Sequence, residues 1–290
     1  MRRLYLDLVV FSFFFSLVFC LGCALVDNFL GFWVFLELGG MSIIPAFFYN
    51  SGESVQGFYS SLFTYIVMSG LSSVFIVSGI VLIDLYYFIL FGFVVKFGLF
   101  PFSLWVYRVF SGSNWVFIFL LSVVSKFPIL FFCFLLQGGV DSLVYIDCSL
   151  TIVLCAVLFW FFSLSWEYIW CHISLGSVST LLVACVCSDF LTCSFIYFYY
   201  FIWAGFCLYY FSSLSVYEGT KASLWVYCFL LLVTPVSLPL FYKLGVCVGI
   251  FYSAFYVLLV WAIYSFSEQF FLYKLCSDFY YSDVFNNWCS

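Results

Sequence analysis

Three lysines and one glutamate stand alone inside long apolar stretches of the sequence. Lys96 lies in FILFGFVVKFGLFPF, Lys126 in LLSVVSKFPILFF and Lys243 in VSLPLFYKLGVCV, while Glu37 lies in FWVFLELGGMS. A charged side chain at the centre of a bilayer costs about 2.5–3.5 kcal/mol on insertion scales, and such residues usually mark an ion or proton path. Lys96 and Lys126, on consecutive apolar segments, therefore predict such a path. The alternative is that buried lysines pair with carboxylates only to hold helices together.

Glu37 and Lys96 are the natural acid–base pair, with the acid on the second apolar segment and the base on the fourth. A lone glutamate in lipid would take up a proton rather than stay ionised. An acid and a base in contact favour each other's charged form. We therefore expect these two side chains to meet inside the membrane.

Prolines lie close to the same lysines. Five occur, and all lie inside apolar stretches: Pro45, Pro101, Pro128, Pro235 and Pro239. A proline removes a backbone hydrogen bond, and membranes tolerate the break where the freed backbone faces protein or a water-filled cavity. Broken helices beside charges are typical of ion-translocating folds. We predict helix breaks at Pro101, Pro128, Pro235 and Pro239, with ordinary kinks as the alternative.

The composition indicates the kind of fold that must position these groups. Hydrophobic residues make up 67% of the 290-residue chain and charged residues 7%, against roughly 45–50% and about 25% in soluble domains. The apolar runs are continuous and helix-length, unlike the alternating segments of membrane β-barrels. We therefore predict an all-α polytopic transmembrane bundle with broken helices, forming one domain over residues 1–276 with a polar tail at 277–290. About ten spans are expected, at residues 4–26, 29–49, 58–83, 85–109, 115–136, 143–164, 168–187, 190–211, 224–250 and 252–273.

The remaining charges are segregated. With ten spans, the membrane face that carries both termini also carries the remaining basic residues: Arg2, Arg3, Arg108, Lys221 and Lys274. The opposite loops carry acidic residues: Asp27, Asp84, Asp141 and Asp189. The positive-inside rule then places the termini on the side of synthesis. Other acids are interpreted as interfacial residues near helix ends: Asp147, Glu167, Asp189, Glu218 and Glu268.

The single histidine, His172, lies near the start of the seventh expected span. It is either a buried structural residue or a member of a proton relay. The sequence contains no nucleotide-binding glycine loop and no Cys/His metal motif. We therefore expect this chain to hold no metal and no redox cofactor, and to bind no nucleic acid.

Four segments together resemble the antiporter-like membrane subunits of respiratory complex I. They are WVFLELGGMSIIP, KFGLFPFSLWVYRVFSG, SKFPILF and TPVSLPLFYK, and the resemblance extends from residue 33 to about residue 250. The sequence departs from the family pattern at several positions. Ser103 replaces a histidine, Tyr107-Arg108 replaces Pro-Glu, and Ser174 replaces a histidine, with His172 two residues earlier.

The resemblance implies a core membrane subunit of proton-pumping NADH:ubiquinone oxidoreductase. Glu37, Lys96, Lys126 and Lys243 would form its chain of protonatable groups at the membrane centre. Lys126 would pass the proton on through water, and Lys243 would exchange it with one aqueous side. NADH, FMN, iron–sulfur clusters and ubiquinone would be bound by other subunits, and the partners would be other membrane subunits and the lipid bilayer.

The resemblance also implies the mitochondrial inner membrane, with the N-terminus on the matrix side. The abundance of Phe, Tyr, Val, Cys, Trp and Gly fits a T-biased organellar gene, since T- and G-rich codons encode these residues. Three alternatives stay open at this point. They are a stand-alone cation/proton antiporter, a structural membrane anchor that pumps nothing, and a sibling antiporter-like subunit of the same complex.

Overall fold

The computed structural model describes residues 2–49, 55–82, 87–135, 141–163, 165–216 and 224–280, and within them it is helical with no β-strand. The predicted all-α fold is therefore confirmed. The α-helices are Arg2–Cys23 (α1), Phe29–Ile43 (α2), Val55–Val81 (α3), Tyr87–Phe97 (α4), Leu104–Ser111 (α5), Trp115–Ser122 (α6), Ile129–Leu135 (α7), Asp141–Phe162 (α8), Trp166–Cys187 (α9), Phe190–Val216 (α10), Leu224–Leu231 (α11), Leu238–Ile250 (α12) and Phe255–Tyr280 (α13). Some sequence-based predictions fall outside the described residues: those for Asp84, Glu218, Lys221 and residues 281–290 of the tail.

Eight segments of the described chain are long and apolar enough to cross a membrane. They belong to α1, α2 with the 3-10 turn at Ile44–Phe48, α3, α6 with α7, α8, α9, α10 and α13. Their outer faces carry exposed aromatic side chains, among them Phe14, Phe161 and Phe266. Because lipid tails can cover such faces, the chain is a multi-pass membrane protein.

The two other expected spans are present as pairs of short helices. Residues 85–109 contain α4 and α5, with 11 and 8 residues. Residues 224–250 contain α11 and α12, with 8 and 13 residues. At about 1.5 Å per residue, none of these helices crosses a hydrocarbon core of roughly 30 Å. The ten expected spans thus correspond to eight membrane-length segments, of which the one formed by α6 and α7 is broken at Pro128, and to two pairs of shorter helices.

Each interruption contains one of the prolines. Pro101 lies between α4 and α5, and Pro128 lies between the 3-10 turn at Val124–Lys126 and α7. Pro235 lies between α11 and α12, while Pro239 is in the first turn of α12, where a missing backbone N–H breaks no helical hydrogen bond. The domain division at residue 276 stays a prediction, and α13 continues past it to Tyr280.

Side chains satisfy the backbone groups released at the first break. The Trp105 indole N–H donates to the Val95 carbonyl at 3.0 Å, and the Thr151 hydroxyl accepts from the Phe100 N–H at 2.9 Å. An unpaired backbone group in hydrocarbon costs several kcal/mol. These contacts therefore allow α4 to end inside the bundle.

The break between α11 and α12 is satisfied in the same way. The Trp203 indole donates to the Leu230 carbonyl at 2.8 Å, and the Gln269 Oε1 accepts from the Val233 N–H at 2.8 Å. The Gln269 Nε2 donates to the Leu231 carbonyl, the last of α11, at 3.4 Å. Side chains of the neighbouring helices α10 and α13 thus supply hydrogen bonds to the backbone at this break.

α9 lies at the centre of the bundle. It packs against α5, α7, α8, α10 and α12. Every residue from Ile169 to Cys185 is buried. Its polar side chains therefore face other helices rather than lipid, and any polar site of the bundle is expected beside this helix.

We expect Gly98→Ala to destabilise the first break. Gly98 has a φ of 67°, in the left-handed region that costs other residues roughly 1–2 kcal/mol, and an added Cβ would collide with the Val106 side chain. Gly70→Ala in α3 is the matched control, because nothing lies within 4 Å of its added Cβ. Thermal unfolding in lipid nanodiscs should show a lower midpoint for the Gly98 variant alone. Equal midpoints would contradict the predicted strain of an alanine at position 98.

Candidate functional site

The first acid–base pair joins Glu37 of α2 to Lys96 of α4. The Lys96 Nζ lies 2.5 Å from the Glu37 Oε1, and the two side chains are 14% and 16% exposed. Lys96 is in the last turn of α4, where the helix dipole favours a cation. The structure thus brings together the two residues whose pairing the sequence suggested.

A small cavity lies beside this pair. Its volume is about 40 Å³, and Lys96, Tyr65, Ser69, Ser125 and Pro128 are among its lining residues. A cavity needs roughly 10–15 Å³ to hold a water molecule, so this one has room for a short water chain. It extends from the first pair to the break at Pro128.

Lys126 lies in the 3-10 turn between α6 and α7 and is 2% exposed. Its Nζ donates to the Ser174 carbonyl at 2.9 Å, the Ser177 hydroxyl at 2.6 Å and the Tyr200 hydroxyl at 2.9 Å. It also lies 4.4 Å from the centre of the Tyr200 ring. An ammonium has three N–H donors, and all three are used here. Hydrogen bonds therefore compensate for the loss of water around a buried charge.

The helix break itself is tied to this lysine. The Tyr200 hydroxyl, which accepts from Lys126, also donates to the Ser122 carbonyl at the end of α6, at 3.4 Å. The Tyr197 hydroxyl donates to the next carbonyl, that of Val123, at 3.3 Å. Among the described residues, Lys96 pairs with Glu37 and Lys243 pairs with Glu268. Lys126 belongs to neither ion pair.

A second acid–base pair joins Lys243 of α12 to Glu268 of α13. The Lys243 Nζ lies 3.3 Å from the Glu268 Oε1, and the side chains are 13% and 6% exposed. The Nζ also donates to the Ser265 hydroxyl at 2.9 Å. The interpretation of Glu268 as an interfacial residue near a helix end is wrong. It lies well inside the membrane-length stretch Phe255–Asp278, because α13 continues to Tyr280.

Asp147 also lies inside a membrane-length stretch, Ser142–Phe162 of α8. Its Oδ2 is buried and makes no hydrogen bond with the described part of the chain. It lines a largely apolar cavity of about 500 Å³ together with Phe91 and Pro101. The structure thus places this acid beside the first break but apart from the three lysines.

Hydroxyl groups lie between Lys126 and the second pair. The ring of Tyr200, which binds Lys126, lies 5.7 Å from the ring of Tyr242, the residue before Lys243. The Tyr242 hydroxyl also approaches Ser177, the closest acceptor of Lys126. The cavity thus lies beside Lys96 and the break at Pro128, while Tyr200 and Tyr242 lie between Lys126 and α12.

His172 is fully buried in α9. Its Nδ1 lies 2.7 Å from the Tyr107 hydroxyl, while its Nε2 has no hydrogen-bond partner among the described residues. Tyr107 and His172 both mark departures from the antiporter-like pattern, and the structure shows that they contact each other. The choice between a structural histidine and a relay stays open.

Sequence reasoning missed the partners of the lysines: Ser174, Ser177, Tyr200, Ser265 and Glu268. Serine and tyrosine are too common here to stand out, with 23 tyrosines in the chain. A usable signal existed only for Glu268. Ser265 and Glu268 are three residues apart and so share one face of a helix, inside an otherwise apolar segment.

No group of three or more His, Cys, Asp or Glu side chains that could hold a metal is found among the described residues. The prediction that cofactors are bound by other chains stays a prediction. No family model and no curated protein matches the sequence.

Two solved structures with the same fold are chains of respiratory membrane complexes. One match is in respiratory complex I from Thermus thermophilus with bound aureothin, at a TM-score of 0.74 and 15% identity, over 90% of this chain and 67% of that chain. Another is in the membrane-bound sulfane sulfur reductase, an archaeal respiratory membrane complex, at a TM-score of 0.68 and 14% identity, over 93% and 66%. The chain thus spans about two thirds of the length of each. At these identities the likeness is one of fold.

We expect Ser177→Ala to destabilise the bundle, because the buried Lys126 loses its 2.6 Å acceptor. A buried polar group left unpaired costs about 1–3 kcal/mol. Ser179→Ala is the matched control, since Ser179 is buried on the same helix and its hydroxyl bonds the Leu175 carbonyl of α9 itself. The thermal midpoint in nanodiscs should fall further for the Ser177 variant. Equal shifts would mean that Ser177 does not hold the ammonium.

Proposed function

We propose that the chain is a proton-translocating membrane subunit of a complex I-type respiratory assembly, with Glu37, Lys96, Lys126 and Lys243 as its proton-carrying groups. The observation that carries this proposal is the environment of Lys126, which is 2% exposed and lies in neither ion pair of the described chain. A buried charge is weak evidence for stability, because apolar side chains often replace such groups at no cost. An ionisable side chain that is buried inside the membrane is instead typical of an ion path.

The Glu37–Lys96 pair is the proposed input. While the two groups are in contact, the carboxylate favours the protonated lysine. Moving the carboxylate away leaves an ammonium alone in surroundings of low dielectric, and it then gives up its proton. The adjacent 40 Å³ cavity would receive that proton and lead it to the break that carries Lys126.

From Lys126 the proposed path continues through hydroxyls. Tyr200 and Ser177 contact the Lys126 Nζ, and Tyr242 lies beside both of them. A hydroxyl can accept one proton while donating another, so these groups can pass a proton without carrying a charge for long. Lys243, next to the third break, would exchange it with one aqueous side.

We further propose that the assembly is mitochondrial NADH:ubiquinone oxidoreductase and that this chain corresponds to its subunit 2. The four sequence motifs, the segregated charges and the fold likeness to a complex I chain support this. The activity of the assembly would be H+-translocating NADH:ubiquinone reductase, with NADH, FMN, iron–sulfur clusters and ubiquinone on other subunits. The chain would lie in the inner membrane among other membrane subunits, with its N-terminus in the matrix.

Two other functions use the same helices. A stand-alone antiporter would exchange cations for protons in vesicles that contain this chain alone, whereas a complex I subunit would need its partners. A structural anchor that pumps nothing would tolerate the neutralisation of Lys96, Lys126 and Lys243 together. The buried Lys126 favours a pumping role over an anchor.

We expect Lys96→Met or Glu37→Gln, each in the assembled complex, to reduce proton pumping and coupled quinone reduction. A positioned proton donor or acceptor contributes typically 10²–10⁴-fold, so the fall should be about tenfold or more. Proton uptake and quinone reduction are measured in sealed vesicles and expressed per assembled complex.

Lys274→Met is the control for these variants. It also removes one lysine charge, but Lys274 lies near the end of α13 and in neither ion pair of the described chain. This variant should pump normally. Normal assembly together with normal pumping in both the Lys96 and the Glu37 variants would exclude the proposed mechanism.

The two interpretations of His172 predict different results for His172→Phe, which keeps a ring at this position but removes both nitrogens. As a proton relay through Tyr107, His172 is required for pumping, so the rate per complex should fall while assembly is kept. Tyr107→Phe should then give the same loss. A lower thermal midpoint with unchanged pumping would instead assign His172 a structural role.

A further inference from the structure

We infer that Glu268 is a second acid of this path and that it exchanges its proton directly with Lys243. The inference rests on the proposed pumping function and extends it to a residue outside the four-residue chain. The end of the path at Lys243 then has its own acid–base pair, formed by α12 and α13.

The first support is the burial of the carboxylate. Glu268 is 5% exposed and lies inside the membrane-length stretch of α13. Its Oε1 accepts from the Gln269 side chain at 3.3 Å and lies 3.3 Å from the Lys243 Nζ. The carboxylate therefore faces the amine of Lys243 within the bundle, where a proton can pass between the two groups.

The second support is that Ser265 alone accepts two of the three N–H donors of Lys243. Its Nζ donates to the Ser265 hydroxyl at 2.9 Å and approaches the Ser265 carbonyl at 3.3 Å. Replacing a buried ion pair with apolar residues is often neutral or stabilising. Helix packing alone therefore does not account for a carboxylate at this position.

The third support is the position of Glu268 relative to the rest of the path. The Tyr242 hydroxyl, which approaches Ser177, also lies near Glu268. The Tyr264 hydroxyl lies near Glu268 as well and donates to the His172 carbonyl at 3.3 Å. Hydroxyls on α12 and α13 thus face the acid on the side of α9, where Lys126 is bound.

The step itself is a proton transfer within a neutral pair. The ammonium of Lys243 gives its proton to the carboxylate of Glu268, which leaves a neutral amine and a neutral acid. The summed charge of the pair is zero before and after the transfer, so little energy is needed to reorganise the apolar surroundings. The neutral amine can then accept the next proton from the side of Lys126, while the acid releases its own toward water.

The test uses the assembled complex in sealed vesicles, with pumping measured per complex. Glu268→Gln keeps the size and hydrogen-bonding capacity of the side chain but cannot exchange a proton, so we expect pumping to fall about tenfold or more. Glu268→Asp keeps the carboxylate and should retain much of the rate. Asp278→Asn is the matched control, because Asp278 is an exposed acid at the end of the same helix and should be dispensable.

Measuring assembly beside pumping separates this role from simple charge balance. If Glu268 only balanced the charge of Lys243, Glu268→Gln would lower the amount of assembled complex while each assembled complex pumped normally, and that result would overturn the inference. If the acid exchanges protons, the Glu268→Gln complexes that do assemble pump poorly. Loss of pumping in Lys96→Met with normal pumping in Glu268→Gln would reject the role of Glu268 alone. Normal pumping in both would reject the proposed function itself.

Discussion

The structure is constrained by the need to hold an ammonium group inside an apolar bundle. Lys126 shows the solution most clearly, because three oxygen atoms from α9 and α10 receive its three donors. Removing such a group from water costs several kcal/mol, and hydrogen bonds of good geometry must offset most of this desolvation cost. The positions of Ser174, Ser177 and Tyr200 around Lys126 are thus explained by one requirement.

The helix breaks also require polar partners inside the bundle, in this case for backbone groups. A break releases carbonyls and N–H groups that lipid cannot satisfy, so it must face polar side chains. Trp105, Trp203 and Tyr200 each donate to a carbonyl at the end of a broken helix. Because Tyr200 also binds Lys126, one hydroxyl serves both the break and the charge. Lysines and prolines occur together in this sequence because both need polar surroundings within the membrane.

Much of this arrangement could be predicted from the sequence. Helix-length apolar runs indicated the bundle, and an acid and a base isolated in such runs indicated the Glu37–Lys96 contact. Glu268 was missed because SFSEQFF looks like the polar end of a span, and only the uninterrupted course of α13 places it inside. The acceptors of Lys126 could not be predicted, since which serines of α9 face this lysine depends on the rotation of the packed helix.

The central helix also has a consequence for how the protein is made. Hydroxyls of α9 bond carbonyls of the same helix, as Ser177 does with Ser174, Ser179 with Leu175 and Thr180 with Ser177. Such internal bonds satisfy the hydroxyl protons without help from a neighbouring helix. α9 can therefore enter the bilayer beside α5, α7 and α8 before α10 and α12 have been made. The most enclosed helix thus does not need its later neighbours in order to be inserted.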